Sequence, residues 1–117
     1  MSFKVLQCNV NHVWAAQDLL EQNMIEVRAG ICVIAEPVRI PSTIYWFGSE
    51  DGRAAIRWDS EILQRTCILA KRGQHYVTVR CGDVYLTSCY VSPNINVHRF
   101  QDFLEELSNS ICKLDGK

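Results

Sequence analysis

Apolar and polar positions change rhythm several times along the chain, and each change marks an element. Over residues 3–10, Phe3, Val5, Leu6 and Cys8 give a mostly apolar run bounded by asparagines at its end, which predicts a first strand. From residue 11 to residue 28 the step lengthens to three and four. Val13, Ala16, Leu20, Met24 and Val27 then form the stripe of an amphipathic helix. Asn11 is the expected N-cap, and Gly30 stands where a residue just past the helix end belongs. Residues 31–35 (Ile-Cys-Val-Ile-Ala) follow with no polar break, as in a strand buried on both faces. The run stops at Glu36-Pro37, which gives a strand–helix–strand opening of βαβ type.

The middle of the chain reads differently. Short strands are expected at 44–47 and 53–58, around a turn marked by Asp51-Gly52, and a further one at 65–70. Strands at 76–81 and 84–91 flank Gly82-Asp83, the signal of a tight hairpin. Val77, Val79 and Cys81 alternate with Thr78 and Arg80, as in a half-buried strand. A closing helix is expected over 96–112, capped by Asn96, with Phe100, Phe103, Leu104, Leu107 and Ile111 on its apolar side. About seven strands and two helices, with the helices at the two ends, predict an α/β or α+β layered fold with a mixed sheet.

Composition narrows the class without naming a function. The 117 residues are 48% hydrophobic and 21% charged, a globular balance that excludes a disordered chain. A formal net charge of −1 gives no whole-chain basic footprint for nucleic acid. Arg53, Arg57, Arg65, Lys71, Arg72 and Arg80 gather in the middle, where a solvated mixed surface is the simpler reading. The six cysteines form no CxxC pair and have no zinc-finger spacing with histidine, and most lie among Val, Ile and Leu. No continuous apolar segment marks a signal peptide or a membrane span. The expectation is a soluble intracellular protein, nuclear or cytoplasmic, with reduced thiols and no membrane partner.

Three polar residues stand at the ends of hydrophobic strands, where open α/β sheets commonly place their sites. Asn9 follows Cys8, Glu36 follows the apolar run, and Tyr90 ends the strand before Val91-Ser92-Pro93-Asn94. Glu36 could be an oxygen ligand for Mg²⁺, or a solvent-facing carboxylate at a strand end. Asn9 could hold a carboxylate or phosphate, or serve a turn. Tyr90 could donate its phenol to a phosphate oxygen, or pack at the sheet edge with its hydroxyl in water. Spacing alone favours the plainer reading of each. His12, His75 and His98 have no Cys or Asp partner at ligand spacing and read as surface or capping residues. Cys8 and Cys89 would need an activating base to be nucleophiles. Tyr45-Trp46-Phe47 could stack bases, but core packing of a strand is the simpler role.

Taken together and in order, Leu6-Gln7-Cys8-Asn9, Ile34-Ala35-Glu36-Pro37 and Tyr90-Val91-Ser92-Pro93-Asn94 resemble the first half of the endonuclease/exonuclease/phosphatase superfamily. Asp51-Gly52-Arg53-Ala54-Ala55-Ile56 and the Tyr-Val-Ser-Pro-Asn stretch look most like the endonuclease domain of non-long-terminal-repeat retrotransposon polyproteins, where it precedes a reverse transcriptase. The resemblance implies one half of a four-layer α/β sandwich, with residues 1–117 as a partial domain. It implies Glu36 as the ligand of a catalytic Mg²⁺ or Mn²⁺, Asn9 as a residue arranging the metal and carboxylates, and Tyr90 as a contact to the scissile phosphate. Asn94 would help order its loop, and the partner would be DNA.

Members of that family also carry a later Gly-Asp-Phe-Asn segment that positions the attacking water, and a Ser-Asp-His segment that contacts the phosphate. Neither occurs in these 117 residues. The implied activity is DNA nicking in the intact domain, with this chain an inactive part of it. Two alternatives remain at this point: a phosphatase of the same superfamily, and a non-catalytic remnant or binding module. Half a sandwich would leave an apolar sheet face uncovered, which points to self-association.

Overall fold

The computed structural model describes residues 4–91 and the single positions 98, 101 and 104. Within them lie β1 (Lys4–Asn9), α1 (Trp14–Asp18), α2 (Leu20–Val27), β2 (Ala29–Ala35), β3 (Trp46–Gly48), β4 (Ala54–Trp58), α3 (Ser60–Leu63), β5 (Cys67–Arg72), β6 (Tyr76–Cys81) and β7 (Val84–Cys89). The expected closing helix lies outside the described residues, apart from His98, Gln101 and Leu104, which are helical. Each strand expected from the apolar pattern is present, with ends shifted by a few residues.

Two sheets stack. The first has the order β1-β2-β4-β3, with β1 parallel to β2 and the remaining pairs antiparallel. The second is the antiparallel meander β5-β6-β7. The alternation along β2 splits its side chains between two cores. Ile31 turns to the second sheet and joins Ile56, Trp58, Leu63, Cys67, Val77, Val79 and Cys81. Cys32 and Ile34 turn the other way and meet Leu20 and Met24 of α2. The mixed, layered architecture expected from the sequence is therefore present: helices, sheet, sheet.

Three local expectations are corrected. The first helix is not continuous from residue 11: Asn11 and His12 both take left-handed backbone angles (φ 53° and 56°), and α1 starts after Val13 without a side-chain cap. Of the expected stripe, Leu20 and Met24 are buried while Val13 and Val27 are exposed. Gly30 is not a helix stop, because Arg28 closes α2 with φ 56° and Gly30 lies inside β2. Glycine is required there by packing, since a Cβ would lie 2.9 Å from Leu63 Cδ1. Thr78 is not on an exposed face: it is fully buried, and its hydroxyl meets that of Thr87 at 2.7 Å.

The short helix α3 was not foreseen. Asp59 caps it, its carboxylate accepting from the amides of Glu61 (2.9 Å) and Ile62 (3.0 Å), and an N-cap residue was its only visible signal. Of the aromatic trio, Trp46 packs on the helix side of the first sheet and Phe47 on the inter-sheet side, the core role. The five described cysteines are free thiols. No described helix is long and apolar enough to cross a membrane.

Candidate functional site

Because β1 and β2 are parallel, their C-terminal ends reach the same edge, and Asn9 lies in register with Ala35. β4 runs antiparallel to β2 with Ala54 opposite Ala35, so Arg53 arrives beside Glu36. β7 of the second sheet ends at the same side, carrying Tyr90. Topology thus gathers Asn9, Glu36 and Tyr90 at one end of the sandwich. Asn94 lies outside the described residues. Next to this edge the two sheets part around a shallow cleft of about 200 Å³, lined by Gln7, Cys8, Asn9, Val33, Ser88 and Cys89 among others.

Glu36 is held by its backbone on both sides. Its amide donates to Arg53 O (2.8 Å) and its carbonyl accepts from His12 N (2.9 Å). It takes a left-handed conformation with φ 53°, uncommon for a non-glycine residue and costing on the order of 1–3 kcal/mol. That conformation lifts the residue out of the strand line immediately after a buried run. Its side chain is only 16% exposed, with His12 Nε2 3.9 Å away.

The Tyr90 hydroxyl lies close to the Glu36 carboxylate. Their interaction pushes the phenol above its ordinary range, with desolvation and the carboxylate charge adding to it and the Arg53 charge opposing it. A carboxylate and a phenol thus adjoin, within the electrostatic reach of the Arg53 guanidinium. Asn9 is differently engaged: its Oδ1 accepts from Asn11 N at 2.9 Å, an Asx turn. Its side chain therefore serves the turn that the plainer sequence reading allowed.

A second cluster adjoins this one. Asp51 Oδ1 accepts from Ser49 Oγ (2.6 Å) and from Arg53 N (3.0 Å), and Asp51 Oδ2 meets His75 Nδ1 at 2.8 Å. Burial alone would raise the Asp51 carboxyl, but these hydrogen bonds and the His75 interaction outweigh it and hold the group below the usual carboxylate range. His75 thus pairs with an aspartate 24 residues away in sequence, which corrects the expectation of a surface or capping residue. Sequence spacing could not show it, because the pair is made across the gap between the two sheets. Cys8 and Cys89 have thiols pushed up by burial, the opposite of activation. The central cations disperse: Arg57 pairs with Glu21 beneath the helices, Arg80 bonds Gly82 O, and Arg53 stands at the site.

No protein-family model matches the sequence, and no curated protein matches it. Among solved structures, the chain is similar to the endonuclease domain of TRAS1, a telomere-specific non-LTR retrotransposon, with a TM-score of 0.75 and 21% identity. The similarity covers 94% of this chain and 54% of that one, so the chain spans about half the length of the structure it matches. The layered architecture is the fold of that endonuclease domain.

Proposed function

We propose that this chain supplies the Asn9–Glu36–Tyr90 part of a metal-dependent phosphodiesterase site acting on DNA. One observation carries the reading: the Glu36 carboxylate and the Tyr90 hydroxyl, from different sheets, meet beside Arg53 at the strand ends of a fold shared with an endonuclease domain. An intracellular setting follows from such a substrate.

The donor set is compatible with a hard divalent cation. No group of three or more His, Cys, Asp or Glu gathers among the described residues, so a metal would rest mainly on Glu36. Mg²⁺ commonly takes one or two carboxylates and completes its shell with water and substrate phosphate oxygens. When bound, Mg²⁺ or Mn²⁺ supplies a Lewis acid for the phosphoryl and leaving oxygens. Tyr90, turned from Glu36 to a phosphate oxygen, offers a neutral O–H donor. Arg53, exposed and next to Tyr90, offers a charge-assisted contact to the same anion. Asn9 orders the loop after β1 through its bond to Asn11.

The water-positioning and His-Asp groups that the resemblance calls for are not among these residues. The expected behaviour is binding without turnover. The purified 117-residue protein should bind a short DNA duplex in Mg²⁺, weaken by about tenfold in Glu36→Gln, and leave supercoiled plasmid intact. Binding indifferent to both Mg²⁺ and Glu36→Gln would overturn the site. Plasmid nicking that disappears in Glu36→Ala would instead show that these residues suffice for hydrolysis.

A further inference from the structure

We infer that Asp51 and His75 are positioning residues: their side-chain pair braces the two sheets together and fixes Tyr90 against Glu36. The importance of this brace for phosphate chemistry rests on the reading above, while its mechanical part stands on the bond network alone. From Asp51 one path runs to Glu36. Oδ1 accepts from Arg53 N, and Arg53 O accepts from Glu36 N at 2.8 Å. A second path runs to Tyr90. Oδ2 meets His75 Nδ1, and His75 O accepts from Tyr90 N at 3.1 Å. One carboxylate thus lies a single residue from each member of the pair, and the two paths belong to different sheets.

The surroundings keep the carboxylate still. Ser49 Oγ donates to Oδ1, and Ser49 Oγ also accepts from Ala54 N at 3.1 Å, which seals the turn before β4. Gly52, with φ 73°, allows the chain to fold back so that Arg53 N reaches the carboxylate. Two backbone bonds run alongside, Glu50 N to Gly73 O (2.9 Å) and Asp51 N to Gln74 O (3.0 Å). The Asp51 and His75 side chains are 16% and 25% exposed, sheltered enough for the pair to resist solvent screening. Those two bonds tie the backbones of the two turns, and apolar packing behind them is non-directional, so the side-chain pair is what reaches from this junction to both Arg53 and His75.

The test is site-resolved amide hydrogen exchange, with the Tyr90 ring read by nuclear Overhauser contacts to the Glu36 side chain, on the full chain. In Asp51→Ala and in His75→Ala, the Glu36 and Tyr90 amides should exchange roughly tenfold faster and the Tyr90–Glu36 contact should fade, while β2 and β6 core amides keep their protection. His75→Asn, which returns a neutral N–H donor near the Nδ1 position, should restore both. His75→Ala remains informative if Asp51→Ala does not fold. Unchanged Glu36 and Tyr90 amides would overturn the brace and assign the junction to the backbone bonds at Gly73 and Gln74. Uniform loss of protection across β2 and β6 would also overturn it, by showing a general structural role. None of these readouts requires metal or DNA, so failure of the nuclease reading leaves the brace standing, and the reverse.

Discussion

β1 and β2 lie side by side in register, and each delivers a site residue at its end, yet they are held very differently. β2 is paired on both edges and covered on both faces, and five of its seven residues are buried. Among the described residues β1 is paired on one edge only. Leu6 and Cys8 pack under the helices, while Val5, Gln7 and Asn9 face the side that the three-stranded sheet does not reach, and all three are exposed. Glu36 therefore leaves a clamped strand, and Asn9 leaves a loosely held one. The lesson is that precision at this site is allocated by strand position: the acidic group sits on the rigid strand, and the amide on the strand free to adjust.

That contrast can be broken most forcefully in the core. Ile34→Ala in β2 removes a fully buried side chain and should cost about 2–5 kcal/mol in a denaturant titration. Val5→Ala in β1 removes one that is 44% exposed and should cost about 0.5 kcal/mol or less. Equal losses would mean that β1 is as firmly packed as β2.

Acid should loosen the support of Glu36 next. The Asp51 carboxyl is held below its ordinary value of 3.8 in the folded chain, so its contribution to stability is complete above that value. The contribution is lost as pH falls further, through the lowered folded value. Melting curves below pH 4 should show this loss in the wild type and a flatter acid limb in Asp51→Ala. Parallel acid limbs would remove Asp51 from the support of the site.

The smallest effect belongs to β1. Asn9→Ala deletes one exposed hydrogen bond to Asn11 N and should cost about 0.5–1.5 kcal/mol, with no change in the Tyr90–Glu36 contact. A shift of that contact would show that the loop after β1 presses on Glu36 and that the two strands share one site mechanically.

Much of this was legible in the residues themselves. The unbroken run Ile31–Ala35, the alternation of Val77, Val79 and Cys81, and the Asp-Gly and Gly-Asp turns each carry a local physical signal, and each led to the right element. The ends of the first helix were not legible. Asn11 and Gly30 have the chemistry of caps, but the chain uses Asn11 in a left-handed turn and Gly30 to admit Leu63. α3, only four residues long, offered little beyond its cap.

By itself, the sequence determined the order of the strands and which residues close them, because period and turn chemistry act over a few neighbouring positions. Only the tertiary structure decided what those residues meet. The parallel pairing of β1 with β2 brings Asn9 to the edge that Glu36 occupies, and the stacking of the sheets brings Tyr90 onto the Glu36 carboxylate. The same stacking joins Asp51 to His75. Contacts between sheets depend on register and layer packing, which no local spacing encodes.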